Sequence, residues 1–398
     1  MLRPEYLASV ADPVVEIYSK VEQDIAEDIA RRIAKNGYLT ETAKWQLKKA
    51  KEFGYFQNDV NKLLAEASGK SKKEISKIMS QAGAKSLAFD DAIYRAAGLQ
   101  PLAVSKSPAL AALLLQGTDT TLGLIGNFTK TTAQMSTVAF NSILDRAYIQ
   151  ILSGAFDPNT AIKRAIKEIA STGIEKIAYP SGASTSVEAA VRRAVTTGVN
   201  QSVAKLSLAR ADEMGCELVE TSSHAGARPS HAEWQGRVFC LKGHHKTYGD
   251  FYAETGYGTG EGLCGWNCYH SFYPFFEGLS TRSFSPDPSA DAGRNNDEDY
   301  ELQQKQRYYE RQVRNAKKEC STINAGMEAA ENDGLKDELY KEFQRASVKL
   351  KNREAALQRF IDETGRTRLN EREWTGGWNR SVSGKAVWAN RKALKRLL

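Results

Sequence analysis

Apolar positions along the first half of the chain recur at helical spacing. Ile17, Val21, Ile25, Ile29 and Ile33 fall every four residues with Glu, Lys and Arg between them, laying one apolar stripe along an amphipathic helix. Asp12 ahead of Pro13 marks its start, an N-cap residue before a proline already held at helical φ, and Gly37 ends it. Thr40 opens a second helix carrying Trp45, Ala50 and Phe53, and Val60, Leu63 and Leu64 define a third. The pattern continues through residues 75–78 and 88–97. Residues 110–143 are more apolar, but Gly117, Gly123 and Gly126 interrupt them, which predicts short or kinked helices. Helical spacing returns over 143–177, and a loop starting at Tyr179 and Pro180 follows. Thr185 and Glu188 then form a capping box, N-cap and N3, for a helix over 187–214.

The pattern changes between Cys216 and Phe276. Glycine and aromatic residues become frequent, and residues 217–221 and 237–241 read as short strands. All five histidines fall here: His224, His231, His244, His245 and His270. Residues 280–299, rich in Ser, Pro, Asp and Asn, have the composition of a linker. Beyond them Tyr309, Val313, Ala316, Cys320, Ile323 and Met327 alternate spacings of four and three. Leu339, Phe343, Ala346, Leu350, Leu357 and Phe360 nearly repeat that seam, and Asn332, Asp333 and Gly334 separate the two runs, as in a helical hairpin. The fold expected is mainly α with a small α+β module. Residues 1–215 form a long helical docking region, 216–279 a compact His/Cys/Gly-rich domain, 280–299 a linker, and 300–398 a basic helical hairpin and tail.

Composition narrows the classes. A chain of 398 residues, 41% hydrophobic and 26% charged, has room for two or three cores of ordinary soluble type. The longest uninterrupted apolar run, residues 109–115, is far short of the roughly 18 residues of a membrane span, so no membrane partner is expected. The first residues lack the basic-then-apolar layout of a secretory signal. Five cysteines, an odd and sparse set, argue against a disulfide framework and leave free thiols or metal ligands. The net charge of +7 is concentrated late: residues 301–398 hold 22 Lys and Arg against 14 Asp and Glu. Lys385, Arg391, Lys392, Lys395 and Arg396 lie near the C-terminus with no acidic residue among them. Such a tail can neutralise DNA phosphates in a salt-dependent way; the alternative is a solvated helix end.

The chemistry-bearing residues cluster in the middle. His224, Arg228, Pro229, His231, Trp234, Gln235, Gly236 and Phe239 are followed by Cys264, Asn267, Cys268, His270 and a run of aromatics to Phe276. Three readings stand side by side. In the first, Cys264, Cys268 and His270 supply soft and imidazole ligands from one tight turn, and His224 or His231 completes a tetrahedron around one structural zinc ion. In the second, the histidines with Asn267 and Glu233 form a metal-nuclease-like active site, although no full His-Asn-His spacing and no acidic cluster are present. In the third, the histidines are hydrogen-bonded core or turn residues, Arg228 ties down a loop, and the cysteines are small buried hydrophobes.

These residues carry a resemblance. The string from His224 to Phe239, with Cys264, Asn267, Cys268, His270 and Pro274 downstream, resembles the minor capsid protein family of tailed phages and, more broadly, MuF-type head-morphogenesis proteins. Those pair a long helical region with a compact domain bearing an Arg-Pro-x-His string, a Gly-x-x-Phe string and a closing Asn-Cys-x-Cys. Here Arg228, Pro229 and His231, then Gly236 and Phe239, then Asn267 and Cys268 match. His224 stands where the broader group has an acid, and His270 replaces the second cysteine, one zinc ligand for another. The flanking helical regions are also similar, so the likeness spans most of the chain. It implies a non-enzymatic head protein in few copies, made in the host cytoplasm and placed in the capsid interior near the portal. Its partners would be the portal, other head proteins and packaged DNA, and its roles head assembly, DNA packaging or ejection. The rival expectation is a metal-dependent nuclease or injected effector toxin with its active site in the His-rich module.

Overall fold

Long continuous helices dominate the chain. The computed structural model describes residues 1–36, 42–103, 106–174, 177–178 and 184–394. In chain order the helices are α1 (Pro4–Ser9), α2 (Asp12–Asn36), α3 (Thr42–Ala96), α4 (Pro108–Leu152), α5 (Pro158–Thr172), α6 (Val187–Glu213), α7 (Pro229–Ala232), α8 (Phe251–Thr255), α9 (Pro288–Asp291), α10 (Asn296–Ala329), α11 (Asp333–Thr364) and α12 (Arg380–Leu394). The strands are β1 (Ile177–Ala178), β2 (Ser184–Thr185), β3 (Leu218–Thr221), β4 (Val238–Cys240), β5 (Gly249–Asp250) and β6 (Phe272–Phe275). The class is mainly α with a small α+β module, as the apolar pattern predicts.

Three local expectations are corrected. The separate helices expected between residues 42 and 97 are one helix, α3, which runs through Gly54, Gly69 and Gly83. The glycines of residues 110–143 do not break α4 either. A helical glycine costs only about 1 kcal/mol, and Gly117 on α4, like Gly198 on α6, is offset by close packing. A Cβ on Gly117 would overlap the Ser202 hydroxyl, and one on Gly198 would overlap that of Thr121, so α4 and α6 meet at a separation only glycine permits. Third, the capping box does not form: Thr185 lies in β2, and Glu188 is buried in an ion-pair cluster instead. Most of the loop expected from Tyr179, residues 179–183, lies outside the described residues.

Two compact units emerge, each assembled from separated stretches of chain. The first comprises Met1–Val15, Gly69–Asn127 and Ala189–Gln304. Leu87, Leu110 and Leu206 form one of its apolar clusters, against Leu113 and Leu114. Arg210 is wholly buried there, held by Asp91 at 3.1 Å, Glu213 at 2.9 Å and the Leu102 carbonyl at 2.7 Å. Its sheet has the order β5-β4-β3-β6; β3 runs antiparallel to β4 and β6, and β5 is parallel to β4. Pro274, which has no N–H to donate, sits on β6, an edge strand. Leu218, Val238, Cys240 and Phe275 line one face of the sheet.

The segment 280–299 is packed on this sheet rather than forming a linker. The buried Glu220 carboxylate on β3 accepts the backbone N–H groups of Ser283 and Phe284 at 2.8–3.0 Å. Phe284 stacks on Tyr273, and Asn296 at the start of α10 bonds both backbone groups of Ala227 at 2.9 Å. Gly236 lies in the left-handed region at φ +64°, and a Cβ there would come within 2.6 Å of the Ser285 carbonyl carbon.

The second unit comprises Glu16–Ser68, Phe128–Glu188 and Lys305–Leu398. Its core holds the predicted stripe Val21, Ile25, Ile29 and Ile33, with Phe56, Phe140, Ile166, Ile169 and Leu339. The hairpin of α10 and α11 is present, and Asn332 caps α11 by accepting Leu335 N–H at 2.9 Å.

Helix α4 alters one further expectation. Among the described residues it is long and apolar enough to cross a membrane, and only 17% of its most apolar 18-residue window is buried. The apolar-run criterion missed it because isolated Thr, Gln and Gly residues divide the pattern.

Candidate metal centre

The site grows out of β3 and the turns that follow it. Pro229 at the first helical position starts the single turn α7, which carries His231 and leads directly to the buried Trp234. Gly236 reverses the chain into β4, and the return loop before β6 carries Cys264, Asn267, Cys268 and His270. Cys264 and Asn267 are the two non-glycine residues at positive φ among those described, +60° and +57°. The loop is thus wound tightly enough to bring Cys268 beneath the two histidines. Helix α6 holds it there: Asn200 Nδ2 donates to the carbonyls of Cys268 (3.0 Å) and His270 (2.9 Å), and Thr197 Oγ1 accepts Asn267 N–H at 3.0 Å.

Three of the five expected ligands converge. Cys268 Sγ lies 3.8 Å from His231 Nδ1 and 3.7 Å from His270 Nδ1, and all three side chains are at most 2% exposed. Cys264 is buried nearby, but its Sγ is directed at the His270 carbonyl, at 3.8 Å. His224 stacks its ring on His270, centroids 4.4 Å apart, and its Nδ1 lies 3.1 Å from the Ala225 carbonyl. Neither belongs to the convergent set.

The outer nitrogens fix the tautomers. His231 Nε2 lies 2.7 Å from the Glu261 carbonyl, which only accepts, so Nε2 carries the proton. His270 Nε2 lies 3.1 Å from Gln235 Oε1. The same oxygen accepts the His224 backbone N–H at 3.2 Å, which settles the amide orientation and makes His270 Nε2 a donor as well. Both Nδ1 lone pairs therefore face the sulfur. Burial drives the His231 pKa down to about 4 and that of His270 well below its usual value, while burial pushes the Cys268 thiol up to about 11. Such a thiol stays protonated at neutral pH in the metal-free chain.

The other sequence-predicted residues play supporting parts. Arg228 donates to the Trp266 carbonyl at 3.3 Å, tying α7 to the cysteine loop. The Trp234 ring packs on both His231 and His270, at 4.7 and 4.9 Å. Asn267 contributes its left-handed backbone rather than a ligand atom. Sequence reasoning missed Asn200, Thr197 and the Glu261 carbonyl. A signal existed for Asn200, a buried amide between Val199 and Val203 on the apolar side of α6. His244 and His245 lie away from the cluster, and His245 stacks on Tyr248. Of the basic tail, Lys385 is engaged with Glu328, and Lys392 lies over the Trp388 ring at 4.2 Å. Arg391 is exposed, and the side chains of Lys395 and Arg396 lie outside the described residues.

The fold is a largely helical scaffold carrying a small α+β module in which His231, Cys268 and His270 converge out of solvent. Residues 2–362 match the family described as phage minor capsid protein 2, and the chain belongs to that family. It is thereby a phage structural protein and a component of the virion. It is 29% identical over 181 residues to a structural protein of Lactococcus phage LL-H, covering 44% of this chain and 47% of the relative. It is 46% identical over 61 residues to a structural protein of Lactococcus phage mv4, covering 15% of this chain and 46% of the relative. The chain thus spans about half the length of the curated relatives it matches. No solved structure matches it.

Proposed function

We propose that this minor capsid protein is a portal-associated adaptor in the head interior, joining the portal to other head proteins and contacting DNA during assembly, packaging or ejection. The observation that carries this reading is the uncovered apolar surface of α4. Leu115 and Leu124 in the first unit, and Val138, Ile149 and Leu152 in the second, are exposed, Leu115 by 67% and Ile149 by 62%. Large apolar side chains left exposed repeatedly along one helix are the kind of surface that contacts another molecule. Gln116, Asp119, Thr120, Asn127, Lys130 and Gln134 are also exposed on α4. That mixture suits a protein partner with matching hydrogen-bond groups better than a lipid interior.

Co-expression with the portal protein tests the reading on the full chain, since neither unit is a contiguous segment. The wild-type chain should co-purify with portal rings, and Leu124→Asp and Ile149→Asp, both at exposed positions, should lose that association while keeping the far-UV helical signal. A wild-type chain that ignores the portal but floats with phosphatidylglycerol vesicles would overturn the portal reading in favour of a membrane role. For DNA, Arg391→Ala with Lys392→Ala should weaken binding and flatten its dependence on salt, because fewer counterions are released. An unchanged salt slope would remove the tail from the interface.

A further inference from the structure

We propose that the module binds one zinc ion through His231 Nδ1, Cys268 Sγ and His270 Nδ1, with Gln235 and the Glu261 carbonyl as the groups that orient the two imidazoles. The argument begins with a proton count. Both Nδ1 atoms are buried acceptors, because their Nε2 partners already carry the ring protons. Among the described residues the donor that faces both is the Cys268 thiol, which has one proton and can satisfy one nitrogen. In the metal-free chain the other lone pair faces sulfur across 3.7–3.8 Å with nothing donated to it. A buried acceptor left in that state is costly. A cation answers all three atoms at once: it takes both lone pairs and displaces the thiol proton to solvent.

The two sulfur–nitrogen separations also fit. Tetrahedral zinc with Zn–S near 2.3 Å and Zn–N near 2.05 Å sets sulfur and nitrogen about 3.6 Å apart, against 3.7 and 3.8 Å here. Metal-bound histidines characteristically donate their remote N–H to a carbonyl or amide oxygen, which fixes ring and tautomer. Glu261 O and Gln235 Oε1 are placed for that role, and Gln235 is itself fully buried. The set of two imidazoles and one thiolate favours zinc over magnesium or calcium, whose ligands are oxygens. Cys264 and His224 lie outside the convergent set, so the ligands assigned to the chain are these three atoms. The site stands apart from the portal reading, because it concerns how the module is held together and not what it docks on.

Full-length protein, dialysed against zinc and then against metal-free buffer, should retain one zinc per chain by elemental analysis. Reconstitution with Co²⁺ should give a thiolate-to-cobalt charge-transfer band together with tetrahedral d–d bands. Cys268→Ser should abolish the charge-transfer band, and Cys264→Ala and Cys240→Ala should keep it. Gln235→Leu should lower the affinity roughly 10–100-fold, read by competition with a chromogenic chelator. Because a ligand variant can fail to fold, the deciding measurement is on the wild type: a folded chain that holds no zinc and gives no charge-transfer band with Co²⁺ overturns the proposal. A band that survives Cys268→Ser but vanishes in Cys264→Ala overturns the assigned ligand set.

Discussion

Replacing Glu188 with glutamine probes the buried charge cluster of the second unit with almost no change in shape. The carboxylate accepts Ser19 Oγ at 2.6 Å and pairs with Lys318 at 2.9 Å and Arg314 at 2.9 Å. Burial alone would push this carboxyl up, but the Lys318 and Arg314 charges outweigh it and hold the pKa at about 2. Against an ordinary 4.5, at 1.36 kcal/mol per unit, the ionised form contributes about 3 kcal/mol. Since the folded value is the lower one, that contribution is fully present above the unfolded pKa and is lost as the pH falls from 4.5 towards 2. Lys318 keeps a second acid, Glu22 at 3.0 Å, so the loss should stay below the 3–5 kcal/mol of a fully orphaned buried charge. At neutral pH the variant should therefore be about 2–3 kcal/mol less stable in urea unfolding, and its gap from the wild type should narrow steadily as the solution is acidified. A gap of the same size at every pH, or no gap, would refute the assignment of this charge.

Other substitutions have expected signs of their own. Gly198→Ala drives a methyl into Thr121, whose hydroxyl is committed to the Gly117 carbonyl at 2.9 Å, and should cost about 1–3 kcal/mol by overpacking. Gly123→Ala is the same change on the open side of α4, where nothing lies within 4 Å, and should raise the melting temperature through a gain of up to about 1 kcal/mol. Equal melting temperatures for the two variants would disprove the close approach of α4 and α6. Asn200→Ala strips hydrogen bonds from two buried carbonyls, and should cost about 2–3 kcal/mol while speeding amide exchange at residues 264–270. Unchanged exchange there would show that α6 does not hold the loop.

What could be read from the chain followed the kind of signal available. The stripe of Ile25, Ile29 and Ile33 announced a buried helix face because burial was its only physical requirement. Strands β3 and β4 and the α10–α11 hairpin were equally legible, since each combines periodic apolar residues with a turn. Continuity of α3 and α4 was not legible. A glycine weakens a helix locally, whereas the close contact that offsets Gly117 comes from Ser202 on α6, far along the chain. Residues 280–299 misled for a related reason. Their composition is that of a linker, and only the fold shows Glu220 collecting their backbone N–H groups.

The ligand cluster marks the boundary most clearly. Residue type and the spacing of the motif region nominated five side chains, because Cys and His are both chemically able to bind zinc. Selection among them rests on orientation, and orientation is decided by the partner of the other ring nitrogen. His231 and His270 give their outer N–H groups to Glu261 O and Gln235 Oε1, so their inner lone pairs meet at Cys268. His224 has its Nδ1 at the Ala225 carbonyl and its ring face against His270, and drops out of the set. Gln235 is thus a stronger discriminator of this site than a further cysteine would be. Its oxygen is shared between a backbone N–H and an imidazole, and a carboxylate in its place would pull more strongly on His270. Gln235→Glu should accordingly tighten zinc in the competition assay where Gln235→Leu loosens it, and identical shifts for both would mean that Gln235 only fills space.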